Sequence, residues 1–350
     1  MFDYEYIGNL HVHSSHSDGS LSPPEIAGAA LGAGLDFLGL NDHDFMTEDL
    51  RLEEEGFYGK LLLFKGLEVG KRFHHYLAYD LKSMVRSDNA GPQEVINEVN
   101  AQGGFGFMAH PFEKGMPFTE KSLAYTWNDL SVRDFAGMEI WNYSSRWKER
   151  IKGPLWGLYC LALKRLTLRR PSRQTLAFWD RLCRKRRVVG IGGSDAHGAG
   201  FRWGPFRFRP LSYPFLLSTI NTHIFLNQPM PRSFEKAKLA VYQAIREGRL
   251  FIAHDGLAPA RGFRFVFLSD DGSDLMMGEE APFNPGGLVI ELPSEGEIRL
   301  IRNGRIKALL EGKEALFRVK EKGVYRVEAD LKIRFLGRYP WIYSNPIYLR

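Results

Sequence analysis

Apolar and polar positions along the first two hundred residues repeat one phrase: a short apolar run, a knot of polar residues, then a stretch of helical periodicity. Residues 6–10 read as a strand ending in His11-Val12-His13, and Ser22-Pro23-Pro24-Glu25 predicts a helix start, with Ser22 as N-cap and Glu25 closing a capping box. Gly34 stops that helix. Residues 36–40 give a second strand running into Asn41-Asp42-His43-Asp44. The same order recurs at 61–64 before Gly66-Leu67-Glu68, at 105–108 before Ala109-His110-Pro111, at 136–141, and at 188–193 before Ser194-Asp195-Ala196-His197. Residues 92–102 are helical by pattern. Strands alternating with helices predict a parallel sheet or barrel, in which polar residues at the carboxyl ends of the strands gather into one site.

Beyond residue 210 the pattern changes. Residues 234–248 read as an amphipathic helix, and after Asp255 short strands are expected at 264–268, 288–292, 298–302, 315–319, 324–329 and 347–349. Asn303-Gly304 between two apolar runs is a two-residue hairpin signal. The expected organisation is therefore residues 1–254 as one α/β domain and 255–350 as a small antiparallel β domain of sandwich type. No repeat of solenoid or propeller length is visible.

The 350 residues are 44% hydrophobic and 25% charged, ordinary globular usage that excludes fibrous and disordered classes. Two cysteines, Cys160 and Cys183, build no disulfide framework and read as core residues. The opening segment has no basic signal region and no run suits a membrane span, so no integral membrane segment and a cytoplasmic location are expected. Net charge is +6, from 47 basic and 41 acidic residues, but residues 144–187 hold 14 Lys and Arg against Glu149 and Asp180. That local +12 leaves the remainder near −6. As an insertion between two strand ends, the segment is expected to overhang the substrate entrance. Its cations and Trp147, Trp156 and Trp179 would attract an anionic substrate, nucleic acid or an anionic membrane surface.

Eight of the ten histidines, at 11, 13, 16, 43, 74, 75, 110 and 197, fall within the first 197 residues. With Asp18, Asp42, Asp44, Glu68 and Asp195 they read as a metal site of imidazole and carboxylate ligands, suited to zinc, manganese or iron. His11 and His13, two apart on a strand, point to one face. His223 and His254 lie outside these motifs and read as structural, and Gly192-Gly193 reads as room for Ser194-Asp195, since no phosphate-loop pattern occurs.

His-Val-His followed by Ser-Asp-Gly, then Asn-Asp-His-Asp, Glu68, Ala-His-Pro and Gly-Gly-Ser-Asp-Ala-His resembles the PHP (polymerase and histidinol phosphatase) domain over about residues 7–200. The tail, with Arg302-Asn303-Gly304 and Ser344-Asn345-Pro346, is similar to that of the CehA/McbA-type metallohydrolases. The resemblance implies a distorted (β/α)7 barrel of PHP type followed by the small β domain. It implies two or three divalent ions, with His11, His13, Glu68 and Asp195 on the first. Glu68, His110 and His75 would hold a second, His74 being the competing neighbour. His43 and His197, with Asp18 or His16, would hold a third.

The activity implied is hydrolysis of a small phosphomonoester or phosphodiester by a metal-bridging hydroxide. His43, His197 or Asp44 would position or protonate the leaving group, and Asp195 would act through the ions. Glu139 and Asn142, at the end of the 136–141 strand, would line the second site or serve as barrel-rim structure, and Asn142, Arg146 and Arg202 are the candidate substrate contacts. The same site would suit a carboxyl ester, amide or carbamate, and the contrasting class is a non-catalytic module binding nucleic acid or membrane. The density of His, Asp and Glu ligands favours an enzyme.

Overall fold

The structure, a computed structural model, describes residues 4–118, 125–198, 200–203 and 206–350, with backbone alone for 201–203 and 206–208. It is mixed α/β, built on one large sheet. In its first part the strands are β1 (Tyr4–Asn9), β2 (Phe37–His43), β3 (Leu61–Val69), β4 (Tyr76–Tyr79), β5 (Phe105–Met108), β6 (Gly137–Asn142) and β7 (Val189–Gly193). β2 and β3 are buried along their whole length, as continuous apolar runs between covered faces require. Leu61 and Leu63 face one cluster with Ile26, Ala27 and Ala30 of helix α1 (Pro23–Gly32). Leu62 and Phe64 join an aromatic cluster with Phe37, Tyr79, Phe105 and Phe107. The box at the start of α1 is present: the Glu25 carboxylate accepts from Ser22 N at 2.8 Å and Oγ at 2.7 Å.

Neighbouring pairs are parallel from β1 through β3 and from β5 through β7, but β4 is antiparallel to both β3 and β5. The regular strand–helix alternation expected from the sequence is therefore broken between β2 and β5, where a 3-10 turn at Leu52–Glu54 and a hairpin replace helices. Helix α2 (Pro92–Ala101) follows β4. The row returns on itself through the segments that continue β1 and β7: Val12 bridges Ala196, Asp195 N donates to His11 O at 2.9 Å, and His13 N to Ala196 O at 3.0 Å.

Between β6 and β7 lie α3 (Tyr143–Lys148), α4 (Pro154–Ala162) and α5 (Arg173–Cys183). After β7 come β8 (Ile220–Leu226), α6 (Phe234–Glu247) and β9 (Leu250–His254), with β8 antiparallel to β1 and β9. Cys160 and Cys183 are buried and free.

The C-terminal strands are β10 (Arg264–Ser269), β11 (Gly286–Arg302), β12 (Arg305–Val319), β13 (Gly323–Ile333), β14 (Gly337–Ser344) and β15 (Ile347–Leu349), around a core containing Phe265, Ile290, Ile298, Val327 and Trp341. Asn303-Gly304 makes the expected turn, both residues at positive φ, with Arg302 opposite Arg305. The two strands expected at 288–292 and 298–302 are one strand, β11, with a register shift between Glu291 and Gly296; a bulge keeps both halves in one ladder. β9 pairs with β14, so the sheet runs unbroken between the two parts. Asn345 fastens them further, accepting from Gly190 N at 2.8 Å and donating to Gly190 O at 2.7 Å.

The basic segment does not overhang the entrance as a whole. Arg170 pairs with Asp330 at 2.9 Å and Asp180 holds Arg326 through 2.7 and 2.9 Å bonds, so part of it docks the C-terminal strands. Arg184, Lys185, Arg186 and Arg187 lie before β7, at the end opposite Asp195, with Arg184 near Arg302 and Arg350. Trp147 and Trp179 are buried and unavailable for stacking. Among the described residues no helix is long and apolar enough to cross a membrane.

His223 is structural, as its sequence position suggests. Buried between β1 and β9, it lies 2.8 Å from Glu5 and 3.0 Å from Asp255. Burial alone would depress its pKa, but the Asp255 and Glu5 carboxylates outweigh it and raise it to about 9. A raised pKa stabilises the fold fully below the unfolded value near 6.5 and ceases to do so as pH rises through about 9. The contribution is on the order of 3 kcal/mol. His223→Gln is expected to lower the melting temperature at pH 6, and the gap from wild type should narrow toward pH 9.5. Calorimetry across that range checks this, and a pH-independent gap would refute it.

Candidate metal centre

Strand direction decides which residues meet. In the parallel β2 and β3, His43 stands opposite Glu68 at their carboxyl ends. β4 runs the other way, so His75, which precedes it, reaches the same end; Glu68 pairs with Leu77, two residues further on. His74 does not join: at positive φ, it is held by Asn128 and by Asp129 N at 3.2 Å. His110 and Asp195 follow β5 and β7 and both have positive φ, 28° and 53°. Backbone held in that region by its surroundings is a common property of functional sites.

Glu68, almost fully buried, is the hub. Its Oε2 lies 3.4 Å from His11 Nε2, 3.2 Å from His13 Nε2 and 3.4 Å from His43 Nδ1. Its Oε1 lies 2.8 Å from His75 Nδ1 and 3.2 Å from His110 Nε2. Asp195 Oδ1 stands 3.6 Å from His11, 3.4 Å from His13 and 3.4 Å from His197. Asp18 completes the outer side, 3.2 Å from His197, 3.7 Å from His13 and 3.7 Å from His43. All nine residues expected as ligands are therefore brought together. Among the described residues they form four overlapping groups able to hold an ion: His13, Asp18, His43 and His197; His11, His110 and Asp195; His11, His13 and Glu68; and His43, Glu68 and His75.

The donor chemistry fits divalent cations. His11 Nε2, both nitrogens of His13, His43 Nδ1, His75 Nε2 and His110 Nδ1 are buried and make no well-aligned hydrogen bond, although carboxylate oxygens stand 3.1 to 3.7 Å from all but His75 Nε2. Such nitrogens are costly to bury unless something coordinates them. His11 Nδ1, 3.1 and 3.2 Å from the two Glu139 oxygens, can donate its proton there and leave Nε2 free as a ligand. Burial works against protonation of His13 and His110, yet Asp195 and Glu68 around the first, and Glu113 and Glu68 around the second, raise both to about 9. Burial, together with His13 and His75 and against Glu68, lowers His43 to about 3. Desolvation penalises the charged forms of Glu68 and Asp195, but the surrounding imidazoles keep both well below the usual carboxylate range.

Behind the ligands lies a supporting layer, of which sequence reasoning missed Asn9, a residue in no motif. Asn9 Oδ1 accepts from His11 N at 3.3 Å and Ser194 N at 3.1 Å, tying the two ligand-bearing segments together. Gly193 must lack a side chain: a Cβ there would come within 2.6 Å of His11 Cβ and 2.9 Å of Glu139 Oε1. Asp42 accepts from Ser14 N at 2.8 Å and Ser14 Oγ at 2.7 Å and fixes the loop after His13.

Four expectations fall elsewhere. Asp44 is turned away, its carboxylate taken by Gly70 N at 2.9 Å and by Ser87 N at 2.7 Å and Oγ at 2.8 Å. His16 bonds Glu54 at 2.7 Å, so Asp18 takes the place left open between them. Arg146 is bound to Glu149 and donates to Arg170 O at 2.9 Å, and Asn142 caps α3 through Ser145 N at 2.8 Å while donating to Glu139 at 3.0 Å. Neither lines the ligand cleft; both line a small pocket beside it with His110, Glu113 and Glu139. The Arg202 side chain lies outside the described residues.

The centre opens into a cleft of about 250 Å³ whose lining includes Phe45, Lys71, Glu113, Tyr125 and Lys148. Tyr125 lies 4.7 Å from the His75 ring, and Lys148 is ion-paired to Glu113, which itself stands 3.1 Å from His110. Among the described residues Lys148 is thus the cation of the basic segment that lines the cleft, and nothing in its local sequence distinguishes it from its neighbours.

Comparison with protein-family models gives no match, and comparison with curated proteins gives none. Among six solved chains that match is a two-domain protein containing a predicted PHP-like metal-dependent phosphoesterase from Bacteroides vulgatus. It is 15% identical, with 98% of this chain and 95% of that chain covered and a TM-score of 0.45. A likeness that remote carries neither mechanism nor substrate to this chain.

Because Glu68 faces five imidazoles, Glu68→Ala is expected to remove more metal than alanine at any one of His11, His13, His43, His75 or His110. Elemental analysis of chelator-free preparations reads the difference. A Glu68→Ala protein with wild-type metal content would refute the hub role.

Proposed function

We propose that the chain is a metal-dependent hydrolase of the PHP type that cleaves small anionic phosphoesters. The observation that carries this reading is the set of buried imidazole nitrogens, none in a well-aligned hydrogen bond, arranged around Glu68 and Asp195 at the floor of the cleft. In this reading His11, His13, Asp18, His43, Glu68, His75, His110, Asp195 and His197 hold two or three ions of zinc, manganese or iron. Ions in such a site supply Lewis acidity toward a phosphoryl oxygen and lower the pKa of water.

The chain's own residues supply the rest. Lys71 and Lys148 line the cleft and offer positive charge to the substrate anion before it meets the carboxylate-rich floor. Burial favours the neutral form of His43, which suits ligation. His197 has the more exposed side chain, 26% against 9% for His43, and is assigned to position the leaving alkoxide beside the ion it would hold. The order of the motifs and the closure of β1 onto β7 support a distorted barrel over residues 1–254. The cluster built mainly from β10 to β15, to which Phe225, Phe251 and Ala253 also contribute, supports a C-terminal β domain at 255–350, whose tail motifs are the ground for reading it as CehA/McbA type.

The test is turnover of aryl phosphomonoesters, phosphodiesters and carboxyl esters by metal-loaded protein. Phosphoester hydrolysis is expected, abolished by EDTA and restored by added metal. Lys148→Gln is expected to raise KM roughly tenfold, as loss of one charged contact allows, with kcat little changed. Turnover of carboxyl esters with none of phosphoesters would overturn the substrate assignment, and EDTA-resistant activity would overturn the metal dependence.

A further inference from the structure

Among the described residues nothing covers the outer face of helix α4. Leu155, Trp156, Leu158 and Tyr159 are 83%, 41%, 64% and 45% exposed, while Cys160 on the inner side is buried. Isolated exposed apolar residues are ordinary, but large ones gathered on consecutive turns mark an interaction surface. The charge around them is one-sided: residues 150–170 contain Arg150, Lys152, Lys164, Arg165, Arg169 and Arg170, with no Asp or Glu. Of these, Arg170 is paired, with Asp330. Among the described residues the other five form no ion pair with an acid, and Lys164 Nζ donates to Pro210 O at 2.6 Å. Lys164 and Arg165 rest over the Phe215 ring, at 3.8 and 5.8 Å, and Arg150 over Trp156 at 6.0 Å.

We infer that this face docks on a membrane surface bearing anionic phospholipid. Leucines with Trp and Tyr in one short helix match the boundary between headgroups and acyl chains, where aromatic side chains have one apolar and one polar end to satisfy. The Lys and Arg that flank α4 in sequence suit anionic headgroups, and long basic side chains such as Lys152 and Arg165 can reach them while their stems lie along apolar surface. The patch is held at the metal-centre end of the fold. Tyr143, first residue of α3, donates to Lys164 O at 2.8 Å, and His254 Nε2 lies 3.0 Å from Arg165 O. His254 stands opposite Ile220, the end of β8 beside the carboxyl end of β1.

The inference is independent of the catalytic reading, and its test uses binding alone. Full-length protein is to be sedimented with vesicles of phosphatidylcholine mixed with phosphatidylglycerol and with phosphatidylcholine alone. Binding is expected to the mixed vesicles, to weaken with salt, and to fall by roughly tenfold or more in Leu155→Ser/Leu158→Ser and in Lys152→Glu. These side chains are exposed, and unchanged circular dichroism and melting would confirm that the variants fold. Trp156 emission should shift to the blue on the mixed vesicles and the shift be lost in Trp156→Phe. Equal binding to neutral vesicles, or none to either, would overturn the inference. So would a wild-type dimer that Leu155→Ser/Leu158→Ser converts to monomer without any vesicle binding, since the face would then belong to a second copy.

Discussion

A carboxylate buried at the meeting point of five imidazoles is the constraint around which the first part of this chain is arranged. Taking Glu68 out of water costs several kcal/mol unless cationic or strongly polar partners surround it. Those partners come from segments spread between His11 and His110 in sequence. They converge only if the strands present one end to the same place. The parallel pairs do so directly, and β4 does so by running backward, with His75 ahead of its first residue. The closure of β1 onto β7 then brings Asp195 to within 3.4 Å of His13.

Around that hub the fold spends local conformational freedom. His110 and Asp195 hold positive φ, a conformation that costs a non-glycine residue roughly 1–3 kcal/mol. Gly193 gives up a side chain so that His11 and Glu139 can lie against its backbone. Asn9, Asp42 and Glu139 are buried polar groups with their bonds made, and each holds a ligand-bearing segment rather than a ligand position. Divalent cations would replace the protons that His13 and His110 otherwise retain, which makes metal uptake a proton-releasing process.

Much of this was legible in the sequence because it is written in local pattern. Apolar runs ending in His and Asp mark parallel strands with their carboxyl ends in a site, Ser22 to Glu25 marks a helix start, and Asn303-Gly304 a turn. Direction is not local: nothing in the composition of 76–79 reveals an antiparallel strand, so the regular alternation expected between β2 and β5 failed there. Asp44 looked like its neighbours His43 and Asp42, and only the fold of the 70–87 loop shows that its oxygens are already occupied. The bulge inside β11 hid one long strand as two short ones.

The positive charge of residues 144–187 is the clearest case of a correct observation with a divided cause. Read along the chain it is a single block, but in the fold it faces three ways. Lys148 enters the cleft, Arg170 and Arg184 turn toward the C-terminal strands, and the cations flanking α4 face outward. The first two directions are linked by contacts: Lys148 holds Glu113 beside His110, Arg146 ties Glu149 to Arg170 O, and Arg170 pairs with Asp330. The cleft wall is therefore braced through the insertion against the C-terminal strands. Arg146, Lys148 and Arg170 are paired with acids within the fold, whereas among the described residues Arg150, Lys152 and Arg165 around α4 form no such pair, and a net charge counted along the sequence could not have separated them.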